Sequence, residues 1–406
     1  MELRPGYKQS EVGVIPLEWE VRRLDAATEA QRPIAYGIVQ TGPNLHGGVP
    51  CLRVVDIHER EIRKAGLIRT SKSISDSYRR TILKAGDLVM PLRGKVGDIG
   101  IVGADLEGAN LTRGVALLAI RKELSGPFCK HFISWSATRK RLERSMNGSA
   151  LQEIPIAALR RFEIAVPGSE VEQSAIAEAL SDVDALLGVL DQFIAKKRDL
   201  KQAAMQQLLT GQTRLLGFHG KWEETSLSAV ASLYQPQTIS AKQFTESGFP
   251  VYGANGVVGY YHSANHSTWQ VTVTCRGSTC GTVNKTVERC WITGNAMVLN
   301  CDHNEKLNKE FFYYLMLGQD LSGCITGTGQ PQIVRGPLAE FQIRLPPDLP
   351  EQTVIAAVLT DMDAELATLE QRREKTRAIK QGMMQELLTG QIRLPLPETL
   401  KKASTP

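Results

Sequence analysis

Side chains that could attack, ligate or hold charge are the natural place to begin, and in this sequence few of them fall into workable patterns. Cys275, Cys280, Cys290 and Cys301 come nearest to a cluster, but their intervals do not match the Cys-x2-Cys spacing of a zinc site. Seven cysteines, an odd number irregularly spaced, read as reduced thiols in and around a β-rich core. The seven histidines are scattered. Leu345-Pro-Pro-Asp348 lacks both flanks of the Asp/Asn-Pro-Pro-Tyr/Phe motif that orients an amino group for methylation. No Gly-x-Gly-x-x-Gly follows a strand pattern, and no Gly-x4-Gly-Lys-Ser/Thr loop occurs. The glycine-dense stretch Gly94 to Gly103 does not open a helix. What remains are cationic and amide side chains beside glycines. Arg93-Gly94-Lys95 follows the apolar run Asp87–Met90, and Arg276-Gly277 follows Val271–Thr274, in turns where backbone can approach a ligand closely.

The elements that must hold these turns can be bounded from the whole chain. A length of 406 residues favours two or more globular units. No run of about 18 apolar residues occurs, and the first residues have no signal-type apolar core, so a soluble cytoplasmic protein is expected. Net charge is +5, unevenly spread: residues 1–168 carry 26 Lys and Arg against 18 Asp and Glu, whereas residues 217–346 balance. A basic first unit fits a nucleic-acid face and fits an ordinary soluble surface equally well.

An internal repeat decides the architecture. Phe162 to Leu215 returns at Phe341 to Leu394 with a constant offset of 179, no gap, and about half the positions identical. Each copy reads as a short strand and then a long helix ending in Leu-Leu-Thr-Gly-Gln. Ser169 with Glu172, and Asp348 with Glu351, have the spacing of a helix-starting capping box. Gly211 and Gly390 stand where a left-handed C-terminal cap is wanted. Ile176, Leu180, Val183, Leu187, Leu190 and Ile194 alternate in steps of four and three, as do Ile355, Leu359, Met362, Leu366 and Leu369. That is a coiled-coil seam, weakening at Lys197 and Arg373 and resuming near Met205 and Met384. About 38 residues at 1.5 Å each give about 57 Å, longer than a small domain is wide, so the two helices are expected to pack on each other. If they are antiparallel, the chain returns to its start and an approximate two-fold axis relates the halves.

The globular parts repeat more faintly. Trp19-Glu20 resembles Trp222-Glu223, Arg93-Gly94 resembles Arg276-Gly277, and Gly148 and Ile154 match Gly327 and Ile333. The expected fold class is α+β: two variable domains separated by two long antiparallel coiled-coil helices, in a pseudo-two-fold tandem repeat. The boundaries read as domain 1 at 1–167, first helix at 168–215, domain 2 at 216–346, second helix at 347–394 and a tail at 395–406. Within the domains, strands are expected at Asp87–Met90, Val115–Ile120, Val271–Cys275 and Met297–Asn300, and helices at Phe128–Arg144 and Lys306–Leu317.

This order of variable domain and LLTGQ-terminated helix, twice over, resembles the specificity subunits of type I restriction–modification systems. The opening GYKQSEVGVIPLEWEVRRL and the segment FPVYGANGVVGYYH resemble them too. The resemblance implies that each variable domain reads one half of a bipartite double-stranded DNA target. It implies that the helices set the gap and dock two methyltransferase (modification) subunits, with a restriction/translocase subunit joining them. It also implies a chain without catalysis or cofactors of its own, S-adenosylmethionine, ATP and Mg belonging to the partners. DNA recognition needs Arg and Lys for phosphate and guanine, and Asn and Gln for adenine. The candidates are Arg53, Lys72, Arg79, Arg80, Arg93, Lys95 and Arg113 in domain 1, and Asn255, Arg276, Lys285 and Gln330 in domain 2. Leu208, Leu209, Leu387 and Leu388, at the helix ends, are candidates for partner contact or for packing on their own domains. A coiled-coil adaptor without DNA specificity and a stand-alone DNA-modifying enzyme stay open as alternatives. If the helices act as a ruler, inserting four residues into one of them lengthens the unread gap and leaves the bases read unchanged. Methylation mapping checks this, and a changed half-site with an unchanged gap contradicts it.

Overall fold

Short apolar runs ending in glycine turns build the sheets, and the same set is built twice. A computed structural model describes residues 4–58, 61–148, 152–327 and 331–395. The chain divides into two units, Met1–Leu190 with Arg372–Pro406, and Asp191–Gln371. Each long helix therefore contributes residues to both units.

In the first unit the strands are β1 (Glu20–Arg23), β2 (Ala35–Tyr36), β3 (Val49–Leu52), β4 (Ile68–Thr70), β5 (Leu88–Pro91), β6 (Gly100–Ile101), β7 (Asn110–Leu111), β8 (Val115–Leu118) and β9 (Glu163–Val166). The second unit has β10 (Glu223–Ser226), β11 (Ser232–Tyr234), β12 (Phe249–Gly253), β13 (Gly256–Tyr261), β14 (Val271–Thr274), β15 (Val283–Lys285), β16 (Trp291–Ile292), β17 (Ala296–Asn300) and β18 (Gln342–Leu345). A four-stranded antiparallel sheet in the order β6-β5-β8-β2 has its counterpart in β15-β14-β17-β11. A three-stranded sheet β7-β3-β4, parallel at β7/β3, has its counterpart in β16-β12-β13, parallel at β16/β12. The pair β1/β9 recurs as β10/β18. The expected strands all appear, within a residue or two. The helix expected at Phe128–Arg144 is broken at Trp135 into α1 (Gly126–Ser134) and α2 (Ser136–Glu143). The long helices are α3 (Glu170–Leu208) and α5 (Leu349–Leu387), and α4 (Lys309–Leu317) is the counterpart of α1.

The cores repeat side chain by side chain. Trp19 meets Phe128 edge-on with ring centroids 6.3 Å apart, and Trp222 meets Phe311 at 6.2 Å. All four rings are buried, each supplying a large apolar area to its core. Ser125 caps α1 by accepting the Phe128 N–H, as Asn308 caps α4 by accepting that of Phe311. A buried glutamine ties each cap to a long helix. Gln173 accepts the Ser125 N–H at 2.8 Å and donates to the Pro167 carbonyl, and Gln352 does the same with Asn308 and Pro346.

Each core is completed by the end of the long helix that starts in the other unit. Met384, Leu387 and Leu388 join the cluster of Trp19, Phe128, Ile176 and Leu180. Leu208 and Leu209 join that of Trp222, Phe311, Ile355 and Leu359. Gly211 and Gly390 adopt φ of +71° and +68°, as their C-cap places require, and a Cβ on either would come within 3.2 Å of the adjacent tryptophan ring. The Tyr7 hydroxyl donates to the Gly390 carbonyl at 2.8 Å, bringing the C-terminal end of α5 to the hairpin of Tyr7–Ser10 and Gly13–Pro16 that opens the first unit.

Within each unit the two helical segments run antiparallel and are keyed by charge. Lys201 bonds Asp363 at 2.5 Å in the second unit, and Lys380 bonds Asp184 in the first. These are the same pair at the offset of 179. Arg214 forks onto Glu351 with both bonds at 2.6 Å, and Arg393 forks onto Glu172. The capping-box reading of Glu172 and Glu351 is thus corrected: both oxygens of each carboxylate go to an arginine far along the chain. The apparent weak point at Lys197 is also a seam position, its ammonium bonded to Glu365 at 2.7 Å.

Glu351 is fully buried, so removing its partner alone strands a charge. Arg214→Met is expected to destabilise the second unit by about 3 kcal/mol, and Glu351→Leu added to it to recover most of that. Denaturant unfolding of the two variants checks the order.

Candidate nucleic-acid interface

The Arg–Gly turns lie at the same place in both units. Arg93 stands two residues past β5 and Arg276 two residues past β14, the paired central strands of the four-stranded sheets. The Ile154 N–H donates to the Leu92 carbonyl at 2.8 Å, and the Ile333 N–H to the Cys275 carbonyl at 2.9 Å. Arg93 forms a bridge with Glu153 and Arg276 with Gln332. Gly94 and Gly277 both take positive φ, +72° and +86°, where a side chain would be strained. Both arginines are exposed, and neither guanidinium makes a hydrogen bond or ion pair among the described residues.

Neighbouring turns converge on this end of the sheet. The Leu92 N–H donates to the Gly114 carbonyl, placing Arg113 beside Arg93, and Lys95 lies in the same turn. Arg113 and Lys95 are exposed and likewise unpaired. In the second unit the Cys275 N–H donates to the Asn295 carbonyl, so Gly294 occupies the place of Arg113. Ser278 follows Gly277 where Lys95 follows Gly94. Among the described residues, one end of the sheet thus bears three unpaired cations in the first unit and one in the second. Asn255 joins Arg276 there: it sits exposed in the two-residue tip between β12 and β13, and the Ala254 carbonyl accepts the Thr274 hydroxyl at 2.5 Å.

The remaining candidates divide. Lys72, Arg79 and Arg80 are exposed and unpaired, the two arginines lining a hollow of about 610 Å³ with Tyr36, Ser77 and Arg160. Arg53 is already paired: it forks onto buried Asp56 at 2.7 and 2.9 Å and donates to the Gly66 carbonyl. Lys285 is paired too: it bonds Glu310 and lies 4.3 Å from the Trp269 ring centre. Gln330 lies outside the described residues. Leu208, Leu209, Leu387 and Leu388 are 7%, 5%, 4% and 1% exposed, inside their own unit's core, which leaves little side-chain surface for a partner. The exposed Val257 and Val258 on β13, beside the Asn255 tip, were missed. The signal available was two adjacent valines in a strand, where neighbouring side chains point to opposite faces and so cannot both be buried on one.

Among the described residues no group of three His, Cys, Asp or Glu side chains could hold a metal, and no helix is long and apolar enough to cross a membrane. Burial pushes the thiols of Cys51 and Cys301 up to about 11 and that of Cys129 to about 12, so they stay protonated and poor nucleophiles at neutral pH.

Comparison with known proteins follows the same lines. Two solved chains share the two-unit fold. One is the type I restriction–modification S subunit of M. genitalium, with a TM-score of 0.61 at 16% identity over 95% of this chain and 98% of that one. The other comes from a structure addressing complex assembly and conformational transition of the type I R-M system, with a TM-score of 0.53 at 16% identity over 93% and 99%. Residues 219–378 match the family model of the type I restriction modification DNA specificity domain. The EcoBI specificity subunit of Escherichia coli is 26% identical over 204 residues, 49% of this chain. The putative MjaX specificity subunit of Methanocaldococcus jannaschii is 25% identical across 96% of this chain and 97% of its own length. The chain spans about half the length of the EcoBI and MjaVIII relatives it matches, 43% and 49%. The match to the DNA specificity domain falls mostly in the second unit, and the resemblance read from the repeated helices to the specificity-subunit family is borne out.

A thiol reagent at pH 8 is expected to label partly exposed Cys280 first in the folded chain and the six buried cysteines only on unfolding. Mass spectrometry of the labelled peptides checks it, and early labelling of Cys129 contradicts the assigned burial.

Proposed function

We propose that this chain is the DNA-sequence-specificity subunit of a type I restriction–modification enzyme, each unit reading one half of a bipartite duplex target. The observation that carries this reading is the repeated sheet end: one strand order in both units, presenting Arg93, Lys95 and Arg113 in one and Arg276 and Asn255 in the other. A shared frame with different hydrogen-bonding groups at its rim suits the reading of two unlike short sequences. The named roles of the relatives support it.

On this reading the chain does no chemistry. Two modification subunits supply methyl transfer from S-adenosylmethionine, and a restriction/translocase subunit uses ATP and Mg. The surface offered to those partners is not the helix-end leucines, which are buried, but the exposed faces around them.

Co-expression with a type I modification subunit, followed by mapping of methylated adenines in host DNA, tests the proposal. The expected result is a bipartite motif that appears only when both chains are present. Methylation by the chain alone would favour an enzyme, and a complex with no motif an adaptor.

A further inference from the structure

We propose that Arg93 and Arg276 are the sequence-independent anchors of the two units, each holding a DNA phosphate, while the residues around them that differ between the units supply the base preference. The inference rests on the specificity reading and assigns a division of labour within it.

Its basis is what the internal repeat keeps and what it discards. The two units share strand order, ladder partners and buried tryptophan–phenylalanine pairs, and those shared residues have visible jobs in the fold. Other arginines of the first unit show what a structural arginine does here. Arg32 forks onto Asp87, Arg53 onto Asp56, and Arg160 donates twice to the Ile34 carbonyl. Arg93 and Arg276 do none of this. They occupy equivalent backbone positions, are followed by equivalent left-handed glycines, stand exposed, and bond nothing among the described residues. The fold does not use these guanidinium groups, yet both units carry them.

Their surroundings are not kept. Arg113 has Gly294 in its place, Lys95 has Ser278, and the tight Ala254-Asn255 tip after β12 corresponds to a longer excursion after β3, from Arg53 to Leu67. A group held constant in two units that read different bases must meet the part of DNA that does not vary, the phosphate backbone. The neighbouring glycine supports this, because it lets the turn approach a phosphate without a side chain in the way. The assignment also gives the second unit, whose residues 217–346 carry no net charge, a phosphate contact that this balance does not reveal.

The test uses the assembled complex with modification subunits, a duplex carrying the mapped target and a scrambled duplex, at a series of salt concentrations. Arg93→Gln and Arg276→Gln are each expected to weaken binding to both duplexes by the same factor. Each should reduce the slope of log affinity against log salt by about 1, and the double variant by about 2. The methylated motif stays unchanged. Arg93→Lys and Arg276→Lys keep slope and motif, because an ammonium serves a phosphate as a point charge but cannot fork onto guanine. A motif relaxed at one base pair, or a lysine variant that fails as the glutamine variant does, would make the residue a base reader and overturn the proposal. An unchanged slope would mean the arginine touches no DNA, overturning it from the other side. A wild-type complex that binds no duplex removes the specificity reading itself, and this proposal with it.

Discussion

The fold depends on one constraint: neither core closes without the tail of a helix that begins in the other unit. Leu387 and Leu388 fill the space beneath Trp19, and Leu208 and Leu209 the space beneath Trp222. Apolar packing of this kind is strong but indifferent to register, since leucines four residues along would bury similar area. Register comes from charge. Lys201 with Asp363 and Lys380 with Asp184 put ions at seam positions, where a slipped helix would leave an ammonium facing apolar neighbours. The forks of Arg214 on Glu351 and Arg393 on Glu172 fix the ends in the same way. Such pairs contribute little net stability against an apolar replacement, so alignment is the better account of their presence twice.

Much of this was legible because the repeat is local and exact in length. The 179-residue offset identifies the two helices, the C-cap glycines and the strands that precede the helices, and all appear as expected. The misreadings within the helices share one cause, a partner far away in sequence. Glu172 lies three residues after Ser169, and nothing nearby competes for it, yet Arg393 takes it. Lys197 looked like a gap in the seam only because Glu365 was not beside it on the page. The information was present in another form: Glu172, Asp184, Lys201 and Arg214 all return unchanged at the offset, which exposed helix charges have no reason to do.

The candidate interface was less legible, for a related reason. Residue type identifies an arginine as able to meet phosphate, but whether it is free to do so depends on its neighbours in space. Arg53 and Arg93 look alike in sequence, each after an apolar strand. One is paired with Asp56, three residues on, and the other has no partner among the described residues. Lys285 was singled out from a strand end and is held between Glu310 and Trp269, both distant in the chain. Exposure and pairing separate these cases, and neither is a property of a single position.

The two units therefore vary where variation costs little. Residues that enter the cores or key the helices are matched pair by pair, so a change in one would have to be answered across a helix interface. The turns at the sheet end are tied to the rest of the protein in different ways in the two units. Arg113 makes no hydrogen bond or ion pair among the described residues, whereas Gly294 in its place is held by Gln235 and Thr238 and has no room for a Cβ beside the Pro236 carbonyl. The ladder bonds beneath both turns run through backbone groups, so each unit sets its own loop against the same sheet end without loss of fold. On the proposed reading, that freedom is what two unlike half-sites require.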